Sequence, residues 1–117
     1  MQTKTFHALH FEDDRSSQNI IKRMVKAEIG GETLTESTLI NARSQLRNKF
    51  MLEAIDCIIC DFMFPGKDAS TILKELAMSK KPVLFYTCLE EDDFCEKCLK
   101  VLKTIPYNFQ FVQKASH

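Results

Sequence analysis

The sequence predicts an α/β domain built on a doubly wound, five-stranded parallel sheet with helices on both faces. Three observations lead there. Apolar runs of strand length alternate with stretches of helical period. The strand runs are almost continuously apolar, as burial on both faces of a parallel sheet requires. Four of them end on polar or charged residues. At 117 residues and 44% hydrophobic content, the chain is long and apolar enough for one folded domain over 1–117 and is not a disordered segment.

Each element has a local reason. TFHALHF, from Thr5 to Phe11, reads as the first strand and breaks at Glu12-Asp13-Asp14. Ser16 or Ser17 is expected to cap a helix that turns Ile20, Ile21, Met24 and Val25 inward and stops at Gly30-Gly31. The threonine-rich ETLTESTL reads as a second, partly exposed strand. Asn41 is the expected cap of a second helix, with Leu46, Phe50 and Met51 inward and an end near Glu53. AIDCIIC is the third strand and runs into Asp61. Asp68 caps the next helix, which buries Ile72, Leu73, Leu76 and Ala77. PVLFYT is the fourth strand and ends on Thr87. EEDDFCEKCLKVLK is a helix with acids early and lysines late, as its dipole prefers. After the break at IPYN, FQFVQ is the last strand, ending before Lys114.

Composition narrows the function. Sixteen basic residues balance sixteen acidic ones, which leaves no electrostatic footprint for nucleic acid or an anionic membrane. No apolar run approaches the length of a membrane span, and the early acids rule out a signal-peptide hydrophobic region at the start, so a cytoplasmic location is expected. Five cysteines, an odd number in such a chain, argue for free thiols.

In an open parallel sheet, ligands bind beyond the carboxyl ends of the strands. If the strands are neighbours, Glu12, Asp13, Asp61, Thr87 and Lys114 meet at one edge. Crowded carboxylates repel one another, and a divalent cation relieves that repulsion. Mg²⁺ suits oxygen donors such as Asp13, Asp61 and the backbone carbonyl of Met63, with water completing its shell. Lys114 adds a positive charge and Thr87 a hydroxyl. The set is a receptor for a phosphoryl group carried on a carboxylate, with Asp61 as the nucleophile.

Four segments, LHFEDDRSSQNII, IICDFMFPGKDA, VLFYT and FVQKA, resemble in this order the receiver domain of two-component response regulators. The resemblance spans nearly the whole chain. It implies a flavodoxin-like sheet of order 2-1-3-4-5 and a phosphorelay role. Asp61 would accept a phosphoryl group from a sensor histidine kinase or phosphotransfer protein. Glu12 and Asp13 would form the acidic pair that holds Mg²⁺, with Asp13 a direct ligand, Glu12 acting largely through water, and the Met63 carbonyl contributing. Thr87 would bond the phosphoryl oxygen and Lys114 would pair with it. Phe111 would be the switch aromatic moving with Thr87. Catalysis would extend no further than Mg²⁺-dependent self-phosphorylation and autodephosphorylation.

The chain departs from the family pattern in three ways. Ala115 stands where a proline usually follows the lysine, and Ala69 where glycine is common. The fifth helix expected after the last strand does not fit before His117. Without that helix, apolar surface on the first and last strands is expected to be bare, to be covered by a homodimer partner, a swapped segment, a downstream segment of the chain or a downstream protein. These departures motivate the rival reading, a receiver-like interaction module that does not depend on phosphorylation. A third reading, zinc or thiol chemistry on CIIC and CEKC, is weak, because residues three apart in a strand point to opposite faces. Cys95 and Cys98 share a helix face and could take a redox or adventitious metal role. His7 and His10 read as a packed and an edge histidine, and the acids from Glu90 to Asp93 as a solvated helix start.

Overall fold

The computed structural model describes residues 4–115. Five strands form one parallel sheet: β1 (His7–Phe11), β2 (Glu32–Glu36), β3 (Cys57–Cys60), β6 (Val83–Thr87) and β7 (Phe109–Gln113), in the order β2-β1-β3-β6-β7. This is the expected 2-1-3-4-5 order. Two-residue strands β4 (Met63–Phe64) and β5 (Lys67–Asp68) form a small antiparallel hairpin behind Asp61. Pro65 and Gly66 make its turn. Gly66 has φ +74°, the left-handed conformation a type II turn needs at its third residue.

The helices are α1 (Arg15–Met24), α2 (Leu39–Leu46), α3 (Lys49–Ala54), α4 (Leu73–Met78) and α5 (Glu91–Leu102). They number five because the second expected helix is divided at Arg47 and Asn48; among the described residues none follows β7. Asn48 accepts a hydrogen bond from Met51 N at 3.2 Å and so starts α3 afresh. That break turns Phe50 out, 82% exposed, against the expectation that it packs inward; Leu46 is buried and Met51 half-buried. Two caps also differ from expectation. Asp14, not Ser16 or Ser17, caps α1 by accepting from Ser17 N at 2.9 Å. Thr38, not Asn41, caps α2 by accepting from Asn41 N at 3.1 Å. In both cases the true cap lies three residues before the donor it serves, where its side chain meets a free N–H of the first turn. Asp68 caps as expected, accepting from Ser70 N at 2.9 Å, although a 3₁₀ turn at Ala69–Ile72 precedes α4.

Strand alternation sorts the sheet's side chains into two layers. Leu9, Phe11, Ile58, Cys60, Val83, Phe85 and Phe109 face α2, α4 and α5 and form the main core. Phe85 is its centre, with ring centroids 4.8 Å from Phe94, 5.0 Å from Phe109 and 5.9 Å from Phe62. Ala8 and Ile59 face the other way, under Ile21 of α1 and Val25, the residue that follows it, with Phe6, Cys57 and Tyr86 beside them. Cys57 and Cys60 thus lie in different layers, as strand geometry requires, and all five cysteines are free. Burial pushes the Cys57 thiol up to about 11 and that of Cys98 to about 12.

Beyond α1 the second layer is open. Ile20 and Met24, expected inward, are 51% and 53% exposed, and Val112 of β7 is 47% exposed. A groove of about 480 Å³ runs over this face, walled by Val25, Ile29, Ile59, Leu84 and Tyr107. The bare surface therefore lies chiefly on β6 and β7, where Val112 is exposed; Ile59 of β3 is buried under α1, and so is the first strand, expected to share the bare surface, whose Ala8 and His10 are buried. Gly31 lets β2 close on β1, since a Cβ there would stand 2.7 Å from the Phe6 carbonyl oxygen. No helix among the described residues is long and apolar enough to cross a membrane.

The packing gives a direct contrast. Phe85→Ala should cost about 3–5 kcal/mol in urea-induced unfolding, because it empties the centre of the aromatic cluster. Phe50→Ala should stay within about 0.5 kcal/mol of wild type.

Candidate functional site

The sheet ladder runs one residue beyond each strand, and those residues build the site. Glu12 N donates to Glu36 O at 3.0 Å, Asp61 N to Phe11 O at 2.9 Å and Lys114 N to Thr87 O at 2.7 Å. Each backbone is fixed by its neighbour, so the three side chains cannot shift in register independently. Continuing the alternation from His10, Ile59 and Val112, all three fall on the α1 side of the sheet. There they meet. Lys114 Nζ donates to Glu12 Oε1 at 2.5 Å and to Asp61 Oδ2 at 3.2 Å, across 102 and 53 residues of sequence. Asp61 Oδ1 accepts from Met63 N at 3.2 Å.

Carboxylate oxygens of Glu12, Asp13 and Asp61 lie within 4.8 Å of one another. Glu12 and Asp61 are buried and Asp13 is exposed, so the cluster opens to solvent on one side. They line a hollow of about 760 Å³ with Lys114, Ser17, Tyr86 and Cys88 on its other walls. Three hard oxygen donors with one open side fit a magnesium ion, which takes few protein carboxylates and keeps water.

Thr87 and Phe111 stand apart from that wall. Thr87 is fully buried on the main-core side of β6, and its Oγ1 accepts from Leu89 N at 3.3 Å. Phe111 is half-buried, its ring turned toward Phe94 at 5.0 Å. Met63 is largely exposed in the hairpin, with its N–H turned to Asp61. No cis peptide bond occurs among the described residues, the Lys114–Ala115 bond included.

Several contacts were not read from the sequence. Gln18 Nε2 donates to Glu12 O at 2.7 Å, and Asp14 N donates to Glu12 Oε2 at 3.2 Å. Ser17 Oγ lies 3.3 Å from Lys114 Nζ, and Nζ sits 5.5 Å from the centre of the Tyr86 ring. The Tyr86 contact was legible in principle from strand alternation. Those of Gln18 and Ser17 depend on where α1 starts, which the misplaced cap obscured.

Burial pushes the Glu12 carboxyl up to about 7, although the Lys114 hydrogen bond pulls the other way. Burial disfavours the Lys114 ammonium, yet its hydrogen bond to Glu12 and the charges of Asp61 and Glu12 hold its pKa above the ordinary value. His10, fully buried beneath the site, has an Nδ1 with no hydrogen-bond partner among the described residues. Burial lowers its pKa to about 4, helped by Lys114 and opposed by Asp61.

No protein-family profile matches the chain, and no curated protein sequence matches it. Solved structures do. A two-component response regulator from Clostridium difficile superposes with a TM-score of 0.71 at 16% identity, over 97% of this chain and 86% of that one. A CheY-like receiver domain from Methanospirillum hungatei gives 0.74 at 14%, over 97% and 85%. The response regulator TrrA from Thermotoga maritima, solved with Mg²⁺ and a beryllium fluoride, gives 0.68 at 18%, over 95% and 88%. The fold of this chain is the flavodoxin-like fold of response-regulator receiver domains, as the four sequence segments imply.

His10 yields a pH signature. Between about pH 6.5 and 4 the unfolded chain takes up a proton at this histidine that the folded domain refuses, so stability falls as pH falls through that window. From pH 7.5 to pH 5 the loss at this one group should be about 2 kcal/mol. His10→Leu should remove it, seen as a shallower dependence of urea midpoint on pH.

Proposed function

We propose that this domain is a phosphoacceptor switch of a two-component phosphorelay, with Asp61 as the acceptor. The observation that carries the reading is the meeting of three carboxylates and one ammonium from the ends of β1, β3 and β7 in a single open hollow. A purely structural cluster has no need to bury Glu12 beside a second acid.

In the reaction, an oxygen of the Asp61 carboxylate attacks the phosphorus of a phosphohistidine on a sensor kinase or phosphotransfer protein. The P–N bond breaks, its electron pair stays on the imidazole nitrogen, and an acyl phosphate forms on Asp61. The Lys114 ammonium, already bonded to Asp61 Oδ2, stands ready to neutralise a phosphoryl oxygen. Met63 N holds Asp61 Oδ1 and so orients the carboxylate. Glu12, Asp13 and Asp61, with the Met63 carbonyl, would hold Mg²⁺, which supplies charge neutralisation for the phosphoryl group. Thr87 and Phe111 would complete the switch. The Thr87 hydroxyl, whose oxygen accepts from Leu89 N, would turn its own O–H to donate to a phosphoryl oxygen, and Phe111 would repack with it. Catalysis by the domain itself would be limited to its own phosphorylation and dephosphorylation, in the cytoplasm.

A second reading, an interaction module that works without phosphorylation, has its own support in the open apolar face over β6 and β7. A homodimer partner or a downstream protein would cover that face in either case.

Acetyl phosphate and Mg²⁺, followed by intact-mass measurement, separate the two readings. The expected result is one phosphoryl adduct on wild type, none on Asp61→Asn, and uptake about 100-fold slower on Lys114→Ala. An unmodified wild type that also shows no millimolar Mg²⁺ binding would leave the interaction module.

A further inference from the structure

We propose that Tyr86 is a positioning residue for Lys114, its ring forming the seat that holds the ammonium between Glu12 and Asp61. The proposal rests on the phosphoacceptor reading for its effect on rate; the seat itself is a matter of geometry.

Lys114 follows the last strand at the edge of the sheet, and among the described residues its backbone is tied only through its N–H to Thr87 O. Four methylenes separate that anchor from the charge, so the backbone alone leaves the ammonium a wide range of positions. Two features confine it. The first is the pair of acids, which attract it from the β1 and β3 side. The second is Tyr86. In register, Tyr86 pairs with Val112, two residues before Lys114, so its side chain and that of Lys114 share the α1 face and lie diagonally across adjacent strands. The ring centre is 5.5 Å from Nζ, within reach of a cation–π attraction.

The ring is itself fixed. It is half-buried and packs against the layer of Ala8, Ile21, Val25 and Ile59, so it offers one surface to the hollow. A leucine there would fill much of the same space but carry no π face. The ammonium would then be held by the acids alone and would settle toward the buried Glu12, away from the point where a phosphoryl oxygen on Asp61 would need it. Ser17 Oγ, at 3.3 Å, closes the remaining side and does not replace the ring.

The test has two readouts. In proton NMR, the Lys114 ε-methylene signals, assigned by their loss in Lys114→Arg, should be shifted upfield by the ring current in wild type and Tyr86→Phe. In Tyr86→Leu they should return to ordinary lysine positions. With acetyl phosphate and Mg²⁺, Tyr86→Phe should match wild type, and Tyr86→Leu should be about 3- to 10-fold slower. That slowing should vanish in a Lys114→Ala background, because the two residues act through one contact. Unshifted signals in wild type overturn the proposal, and so does a Tyr86→Leu slowing that persists without Lys114. Should wild type take up no phosphoryl group, the phosphoacceptor reading fails, and the NMR shift still decides the seat. Should Tyr86→Leu not fold, the wild-type and Tyr86→Phe signals decide it.

Discussion

The structure depends on the parallel ladder staying in phase out to its last rung. Glu12, Asp61 and Lys114 are each the first residue beyond a strand, and each hangs from the neighbouring strand by one backbone hydrogen bond. Because side chains alternate, that common position sends all three to the same side of the sheet. A slip of one residue in any pairing would turn the affected side chain into the main core, where an unpaired charge is costly. The aromatic cluster around Phe85 guards against such a slip, since the alternate residues of β6 that would replace it include Tyr86. The large core on one face thus sets the small polar group on the other.

Electrostatics and packing oppose each other at this edge. Burial raises the pKa of Glu12 to about 7, and the nearby Asp61 charge adds to the strain. Lys114 offsets part of it, as its short contact with Glu12 and its second bond to Asp61 indicate. The domain therefore carries a surplus of negative charge in a partly dry hollow. A bound cation would relieve that repulsion, whereas a phosphoryl group on Asp61 would add negative charge and increase the demand for a cation and for the Lys114 ammonium.

Much of this was legible in the residues. The five strands follow from apolar runs, and FQFVQ coincides with β7 to the residue. The site acids and the lysine were found by asking what lies at each strand's end. The misreadings share a cause. Ser16, Ser17 and Asn41 are good cap residues by type, but the position one turn earlier holds Asp14 or Thr38, and geometry favours the first suitable oxygen. Phe50, Ile20 and Met24 have helical spacing, which says that a residue belongs to a stripe but not that anything packs on it. Thr87 illustrates a further limit. Its place at the strand end could be read, but its side-chain direction depends on parity with Phe85, and parity puts it across the sheet from Lys114.

The one-sided clothing of the sheet has a consequence for how the molecule breathes. α2, α4 and α5 share a common core, whereas α1 is fastened chiefly by Ile21 and Val25 and ends in a widened π turn at Val25–Ile29. With so few buried apolar anchors it should detach at a smaller free-energy cost than α2, α4 or α5. Ser17 and Gln18 ride on its first turns. Each such excursion would strip two tethers from the acidic edge while leaving the strands intact, so the wall of the hollow would fluctuate faster than its floor.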